Sequence, residues 1–228
     1  MLAQQHRLDV IAGNAANLNT PGYLRRRTVI QGGFEDILYR VGGFALSPAG
    51  AIQNANAAVE APCDPSPGGM RETGRALDIA AGNGLFFAVQ SPQGVLYTRD
   101  GRFLIDAQGY LVTKEGYAVL GTGGTPIRAT EETKILPDGT VLLPDGTTAG
   151  RLALYRLDSP VHAGNGLYSG TAVSAAGEVR QGYLVNSNAD IVKEMTEAMS
   201  ALRVYEVSQR TVVTSDHALG TLISSLRG

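Results

Sequence analysis

The chain has 228 residues, of which 43% are hydrophobic and 18% are charged, and its formal net charge is -2 at pH 7. This composition excludes a disordered chain, no apolar run is long enough to span a bilayer, and the nearly balanced charge gives no basic field that would favour nucleic acid as a partner. The longest basic run, Arg25–Arg27, has no interleaved aromatic residues and is expected to be a solvated face.

An N-terminal helix is predicted for residues 2–18. Apolar side chains recur there at the 3-4-3 spacing of one helical face, at Leu8, Ile11, Ala15 and Leu18. The helix is expected to end at Asn17–Asn19, because Asn tolerates the left-handed conformation and Pro21-Gly22 favours a turn. The first nine residues lack the basic and apolar regions of a secretory signal, so export would need another route.

Residues 24–70 are predicted to form an extended connector. They are rich in Gly, Pro, Ala and Asn, with a short helix or strand expected at Phe34–Arg40. The single cysteine of the sequence, Cys63, lies in this connector and is expected to be an incidental loop thiol. One cysteine excludes both an intramolecular disulfide and a cysteine metal cluster.

Residues 71–185 are predicted to form a mostly antiparallel β domain. Short β-prone runs alternate there with turn dipeptides such as Asp100-Gly101 and Asp138-Gly139. Five of the runs are spaced closely enough for a meander: Phe86–Val89, Val95–Thr98, Phe103–Ile105, Tyr110–Thr113 and Tyr117–Leu120. The motif Pro-Asp-Gly-Thr occurs at 137–140 and 144–147, which indicates repeated turn chemistry rather than a structural repeat.

A long C-terminal helix, from Asn188 to Gly228, is predicted within the last segment, 186–228. Ser187 is expected to cap it, with Asp190 in its first turn. A heptad seam advances by alternating steps of four and three residues and is interrupted by Gln209 and Asp216. The other seam residues are Ile191, Met195, Ala198, Leu202, Tyr205, Val212, Leu219, Ile223 and Leu226.

The length of this helix has a consequence for the fold. It would be about 60 Å long, whereas a compact domain of ~110 residues is only ~35 Å across. The apolar face of the N-terminal helix, here the N-terminal seam, is expected to pair with the heptad seam as a coiled coil. This gives an α+β fold in which the terminal helices flank a nested, mostly antiparallel β domain of successive hairpins. Two hypotheses stay open: an intramolecular pair, which is usual for an amphipathic helix, and association with other chains, since the N-terminal seam is too short to cover the C-terminal one.

Candidate catalytic and metal-binding residues are few. The three histidines, His6, His162 and His217, are far apart in sequence and are expected to face solvent. The Asp-Gly pairs do not belong to a calcium-binding loop, and the glycine-rich residues 121–124 do not precede a helix. The sequence therefore predicts no catalytic residue, no cofactor and no metal site.

Three blocks of the sequence resemble the flagellar hook-basal-body rod proteins. The first is Ala15–Tyr23, in which the signature turn is formed by Asn17, Asn19, Thr20, Pro21, Gly22 and Tyr23. The second comprises residues 77–80, 84–90, 97–103, 109–113 and 116–121. The third comprises residues 182–184, 187–190, 194–195 and 203–206.

This resemblance implies a structural subunit of the proximal or distal rod, the axial drive shaft of the bacterial flagellar basal body. Terminal helices of such subunits form an inner coiled-coil tube that the β domain decorates. The implied partners are copies of the chain, other axial rod and hook proteins, and the flagellar type III export apparatus, which would take the place of a cleaved signal peptide. The implied location is the periplasmic rod that crosses the cell envelope. Family members usually carry further helical turns before the segment that matches Ala3-Gln4-Gln5, so this chain is expected to begin short.

An alternative from another class is a secreted β-rich binding module with a helical oligomerisation stalk. It would account for the hairpins and the heptads. It would not account for a resemblance at both chain ends, and it predicts a cluster of exposed aromatic residues that is hard to assemble with no Trp and 6% aromatic residues.

Overall fold

The computed structural model describes residues 2–32 and 56–227, so the short element predicted at Phe34–Arg40 lies outside the described residues. The chain divides into two compact units, and it passes from one to the other four times. The first, here the helical unit, comprises Met1–Gly13, Arg27–Ala61 and Ile191–Gly228. The second, here the β unit, comprises Asn14–Arg26 and Pro62–Asp190, so it takes in residues on both sides of the predicted range 71–185.

Within the described residues the chain forms two helices and sixteen strands. The helices are α1 (Leu2–Ala16) and α2 (Ile191–Arg227). The strands are β1 (Arg27–Gly32), β2 (Asn56–Ala61), β3 (Met70–Glu72), β4 (Ile79–Ala81), β5 (Phe86–Ser91), β6 (Gly94–Thr98), β7 (Leu104–Ile105), β8 (Leu111–Val112), β9 (Ala118–Val119), β10 (Lys134–Ile135), β11 (Thr140–Leu142), β12 (Thr148–Arg151), β13 (Leu154–Gly164), β14 (Leu167–Ser174), β15 (Val179–Gln181) and β16 (Tyr183–Val185). The α+β class is confirmed.

Both terminal helices are present, and each is shorter than predicted by two or three residues at one end. The last turn after α1 closes when the Asn17 amide donates to the Asn14 carbonyl oxygen, at 3.1 Å. The expectation that Ser187 caps α2 is wrong, because its hydroxyl accepts a hydrogen bond from the Ala189 amide in the turn that precedes the helix, at 3.2 Å. Asp190 directly precedes the first helical residue. Neither helix, as far as its residues are described, combines the length and apolar character needed to cross a membrane.

The largest sheet has seven antiparallel strands in the order β13-β14-β6-β5-β9-β8-β7. Because β13 also pairs with β5, the strands β5, β6, β14 and β13 close into a ring. The prediction of an uninterrupted meander is wrong at one point, since β6 pairs with β14 rather than with β7. The segment after β6 pairs instead with the start of β4 and the residues just before it: the Ile79 amide donates to the Gly101 carbonyl oxygen at 3.0 Å, and the Phe103 amide donates to that of Leu77 at 3.2 Å.

Smaller antiparallel sheets complete the described part of the chain. Three of them are pairs, β1 with β2, β15 with β4 and β16 with β3, and the fourth has three strands in the order β10-β11-β12. The first of these pairs lies in the predicted connector and belongs to the helical unit, with Arg27 opposite Ala61 and Gly32 opposite Asn56.

The repeated Pro-Asp-Gly-Thr motif forms two similar turns, as predicted. The Thr140 amide donates to Asp138 Oδ1 at 3.0 Å, and the Thr147 amide donates to Asp145 Oδ1 at 2.9 Å. Hydrogen bonds from the backbone and hydroxyl of these threonines hold the pKa of each aspartate below its ordinary value.

Two clusters of buried side chains form most of the core of the β unit. In the larger one, Phe87 of β5 and Phe103 meet edge to face with ring centroids 5.2 Å apart. The smaller cluster consists of Leu24, Cys63, Phe86, Leu157 and Tyr168. Cys63 lies in a loop, as expected, but it is a buried core residue rather than an incidental thiol. The presence of Leu24 shows that residues following α1 are part of this core.

Candidate assembly site

The signature turn reverses the chain directly after α1. The Thr20 amide donates to the Asn17 carbonyl oxygen at 3.2 Å, and the Thr20 hydroxyl donates to Asn17 Oδ1 at 3.0 Å. The Tyr23 amide then donates to the Thr20 carbonyl oxygen at 3.3 Å. Pro21, Gly22 and Tyr23 are buried, whereas Asn19 is exposed. The predicted turn is thus confirmed, and its second half is packed inside the β unit.

Gly22 is the residue of this turn that no other amino acid can replace without strain. Its φ is +69°, which is the left-handed region that favours glycine. A Cβ at this position would overlap the backbone of Arg99 and Asp100 and would lie 2.6 Å from the Arg99 carbonyl oxygen. The first and second blocks of the resemblance therefore meet here, backbone against backbone.

Asn14 supports the turn from the last residues of α1. Its Oδ1 accepts hydrogen bonds from the Tyr23 hydroxyl at 3.1 Å and from the Arg26 amide at 2.9 Å, and its Nδ2 donates to the Arg26 carbonyl oxygen at 3.0 Å. The residue is only 1% exposed. The sequence analysis missed Asn14, although an asparagine beside the apolar positions of a short helix was a usable signal.

Tyr168 of β14 receives the segment that follows the turn. Its hydroxyl accepts a hydrogen bond from the Leu24 amide at 2.8 Å, and the ring packs edge to face on Phe86 with centroids 5.8 Å apart. Burial of the hydroxyl raises the pKa of Tyr168 well above its ordinary value. Tyr168 was also missed, because only the fold brings it to residues near the N-terminus.

Arg99 is a buried cation in the second block. Its Nη2 donates to the Pro65 carbonyl oxygen at 3.1 Å and its Nη1 to that of Ser66 at 3.2 Å, while the guanidinium carbon lies 4.9 Å from the centre of the Phe86 ring. Burial lowers the pKa of Arg99 to about 10. Arg99 thus holds the end of the predicted connector on the β unit.

Asn188, in the third block, joins the same group of segments. Its Oδ1 accepts a hydrogen bond from the Arg25 amide at 2.6 Å, and its Nδ2 donates to the carbonyl oxygens of Asp64 and Ser66, each at 3.0 Å. The blocks that resemble one family in sequence therefore converge in one part of the β unit.

Two expectations about charged and titratable residues are wrong. Arg25 is buried, so the basic run is not uniformly a solvated face. His162 is half-buried and contacts the rings of Tyr168 and Tyr23 edge to face, at centroid distances of 5.7 and 6.4 Å. Both differences arise because the segment after the signature turn packs into the β unit instead of running along its surface.

The predicted seam residues of α2 fall into three groups. Ile191, Met195 and Leu202 are exposed, and Ala198 and Tyr205 are half-buried. The side chains of the last four lie outside the described residues: Val212, Leu219, Ile223 and Leu226. Of the N-terminal seam, Ile11 is buried, and Leu8, Ala15 and Leu18 are half-buried.

The buried face of α2 is displaced from the predicted seam. Glu194 and Ala201, seven residues apart, are 1% and 0% exposed. The neighbouring face carries Met195, Met199 and Leu202, which are 55%, 56% and 47% exposed. These three residues follow the 4-3 spacing of one helical stripe. We call them the exposed apolar stripe.

Comparisons with known proteins identify all three blocks. Residues 1–23 match the model of the flagella basal body rod protein, residues 79–143 the flagellar hook protein FlgE/F/G D1 domain, and residues 180–225 the flagellar basal body rod FlgEFG protein C-terminal model.

Whole-chain similarity extends to proteins of several bacteria. The chain is 34% identical to the flagellar basal-body rod protein FlgG of Agrobacterium fabrum, over 100% of this chain and 96% of that protein. It is 32% identical to FlgF of Mesorhizobium japonicum, over 97% and 93% of the two chains, and 31% identical to FlgG of Bacillus subtilis, over 98% and 94%. Because three family models match its two ends and its centre, and relatives more than 30% identical cover nearly all of it, the chain belongs to the flagellar basal-body rod protein family.

Proposed function

We propose that the protein is a rod subunit that polymerises through its terminal helices, and that it acts as a structural part of the axial drive shaft rather than as an enzyme. The observation that carries this proposal is the exposed apolar stripe of α2. The isolated chain exposes about half of each of three large apolar side chains on one helical stripe. Burial of these side chains against a partner would be favourable, so the stripe favours association.

The occupant of this stripe is proposed to be a terminal helix of another subunit. Within the chain, α2 buries a different face, which contains the small residue Ala201. A helix with one face covered in its own chain and an adjacent apolar face uncovered is suited to a bundle of more than two helices. Such a bundle agrees with an inner tube of terminal helices, with coiled-coil contacts made across subunits.

The wider assembly is part of the same proposal. The partners are copies of this chain and other axial proteins of the rod and hook, and the location is the basal body where the rod crosses the periplasm. Delivery is proposed to use the flagellar type III export apparatus, without a cleaved signal peptide. Family membership supports this reading over a secreted binding module with an oligomerisation stalk.

The experiment that tests the proposal introduces a charge into the stripe. Leu202→Asp should leave the melting temperature of the purified protein within a few degrees of wild type, because the side chain is 47% exposed. In the rod the carboxylate would be buried without a partner, at a cost of several kcal/mol. A strain in which the variant replaces the wild-type protein should therefore lack the subunit in isolated basal bodies and fail to swim.

Two matched variants on the same helix define the outcome. Ser200→Asp places the same charge at an exposed position about 200° around the helix, and its strain should swim. Ala201→Asp places it on the face buried within the chain and should lower the melting temperature strongly. Normal swimming of the Leu202→Asp strain would refute assembly through the stripe.

A further inference from the structure

The chain leaves the β unit at four places, next to Asn14, Arg26, Pro62 and Asp190. These places are distant in sequence, and each leads to a segment of the helical unit. Inside the β unit, the residues adjoining the four places are joined to one another by hydrogen bonds. Two asparagine side chains make most of these bonds.

Asn14 joins the place where the chain enters the β unit, at Asn14 itself, to the place where it leaves again, at Arg26. Its side chain makes two hydrogen bonds with the backbone of Arg26, at 2.9 and 3.0 Å, so the two ends of the segment Asn14–Arg26 are held side by side.

Asn188 joins the segment that ends at Asp190 to the segment that ends at Arg26 and to the segment that begins at Pro62. It accepts from the Arg25 amide at 2.6 Å and donates to the Asp64 carbonyl oxygen at 3.0 Å. Its own amide donates to the Tyr23 carbonyl oxygen at 3.3 Å, and the Asp64 amide donates to that of Arg25 at 2.9 Å. All four segments are therefore connected.

The amide group of asparagine is chemically suited to this position. It offers an acceptor for the Arg25 amide and two donors for the carbonyl oxygens of Asp64 and Ser66, and each is used. Aspartate has the same shape but no donor when ionised, so its carboxylate would face two carbonyl oxygens. Alanine would remove all three hydrogen bonds, although the Ser66 carbonyl oxygen would still accept from Arg99 Nη1.

We propose that Asn188 is a positioning residue, which with Asn14 ties the segments of the β unit next to its four connections into one joint, and that the subunit needs this joint intact to enter the rod. This inference rests on the proposed function, because it assigns to the joint a role in assembly. It predicts that assembly fails when the joint is loosened, even though the apolar stripe is intact.

The test compares full-length variants for local exchange, stability and swimming. Asn188→Asp should increase the hydrogen-exchange rates of the Arg25 and Asp64 amides at least tenfold, while amides of β5 and β11 keep their protection. The strain carrying it should swim much less than wild type. Asn188→Ala, which introduces no charge, should give the same pattern and serves if the aspartate variant does not fold.

Two controls separate the loss of the Asn188 hydrogen bonds from the effect of an added negative charge and from a general loss of stability of the β unit. Asn186→Asp makes the same change two residues away, at an exposed side chain with no hydrogen bond among the described residues, and should behave as wild type. Val141→Ala destabilises the buried core of the β unit without touching the joint, and a strain carrying it should still swim.

The outcomes decide between the proposals. Normal swimming with fast exchange at Arg25, or loss of swimming in Val141→Ala at an equal fall in melting temperature, would overturn the positioning role. Unchanged exchange at Arg25 and Asp64 in both Asn188 variants would overturn the joint itself. The proposed function fails separately, through normal swimming of the Leu202→Asp strain.

Discussion

Two glycines with almost equal φ angles allow the cost of a close approach to be measured. Gly22 and Gly74 have φ of +69° and +71°, so Gly→Ala costs about 1–2 kcal/mol at either for the left-handed conformation. Around Gly74 nothing lies within 4 Å of an added Cβ, whereas at Gly22 the Cβ would overlap the backbone of Arg99 and Asp100. We expect Gly22→Ala to lower the free energy of unfolding by at least ~1 kcal/mol more than Gly74→Ala. Urea denaturation followed by tyrosine fluorescence measures both, and equal losses would contradict the packing described.

Removal of one oxygen atom tests the contact between Tyr168 and the N-terminal segment. Tyr168→Phe keeps the ring against Phe86 but leaves the buried Leu24 amide without its acceptor. The expected loss is about 1–3 kcal/mol in the free energy of unfolding. The matched control is Tyr110→Phe, which removes the hydroxyl from a half-buried ring. It should lower the free energy of unfolding by less than about 1 kcal/mol, which is the net contribution of one typical hydrogen bond.

The stability difference between wild type and Tyr168→Phe should also change with pH in the alkaline range. Burial raises the pKa of Tyr168 in the folded protein, whereas in the unfolded chain it is about 10. The contribution of protonated Tyr168 to the free energy of unfolding is complete below pH ~9. It is lost as the pH rises above ~10, because only the unfolded chain then releases the proton of the Tyr168 hydroxyl. The stability difference between wild type and Tyr168→Phe should thus be constant from pH 7 to 9 and shrink above pH 10.

At the scale of elements, the sequence predicted what depends on neighbouring residues. Pro21-Gly22 predicted the end of α1, the Asp-Gly pairs at 138–139 and 145–146 predicted turns, and the runs from Phe86 to Leu120 correspond to β5–β9. Asp100-Gly101 forms no hairpin turn, because β6 pairs with β14 rather than with β7. The pairing of β13 with β5 was not predictable, since no local pattern specifies a partner more than sixty residues away.

The candidate site shows the same limit. The heptad pattern identified Met195 and Leu202, but it could not tell which helical face the chain itself covers, because Ala201 is too small to mark a buried face by hydrophobicity. Asn14 escaped notice and Asn188 was noted only within the third block, because polar residues at helix ends have many uses and their partners appear only in the folded chain.

The segment Asn14–Arg26 is predicted to bind the rest of the β unit when supplied as a separate peptide. A fragment of residues 62–190 lacks Leu24 and leaves part of the Phe86–Tyr168 cluster uncovered. Adding the peptide should raise the fragment's melting temperature, as binding stabilises the folded state. A peptide with Gly22→Ala should bind at least tenfold more weakly by calorimetry. Equal binding of the two peptides would show that the turn is not recognised in its native form.

At the scale of the whole molecule, the methionines of α2 report on assembly. Met195 and Met199 are more than half exposed in the single chain, so dilute peroxide should convert both to sulfoxides in the isolated protein. In rods containing the protein, we expect at least tenfold slower oxidation at both, measured by mass spectrometry. Met70 of the β unit, 40% exposed, provides an internal reference. Equal rates at Met195 before and after assembly would place the subunit interface elsewhere.

The contacts of the signature turn also set an order of events in folding. Leu24 and Tyr168 are 144 residues apart, and Arg25 and Asn188 are 163 apart. Contacts of such separation form late, because the loop entropy must be lost before they stabilise anything. A chain that emerges N-terminus first, from a ribosome or from a narrow channel, therefore holds residues 14–26 without their full set of partners until residue 188 has emerged. We therefore expect the local hairpins to close first and the signature turn to be the last part of the β unit to dock.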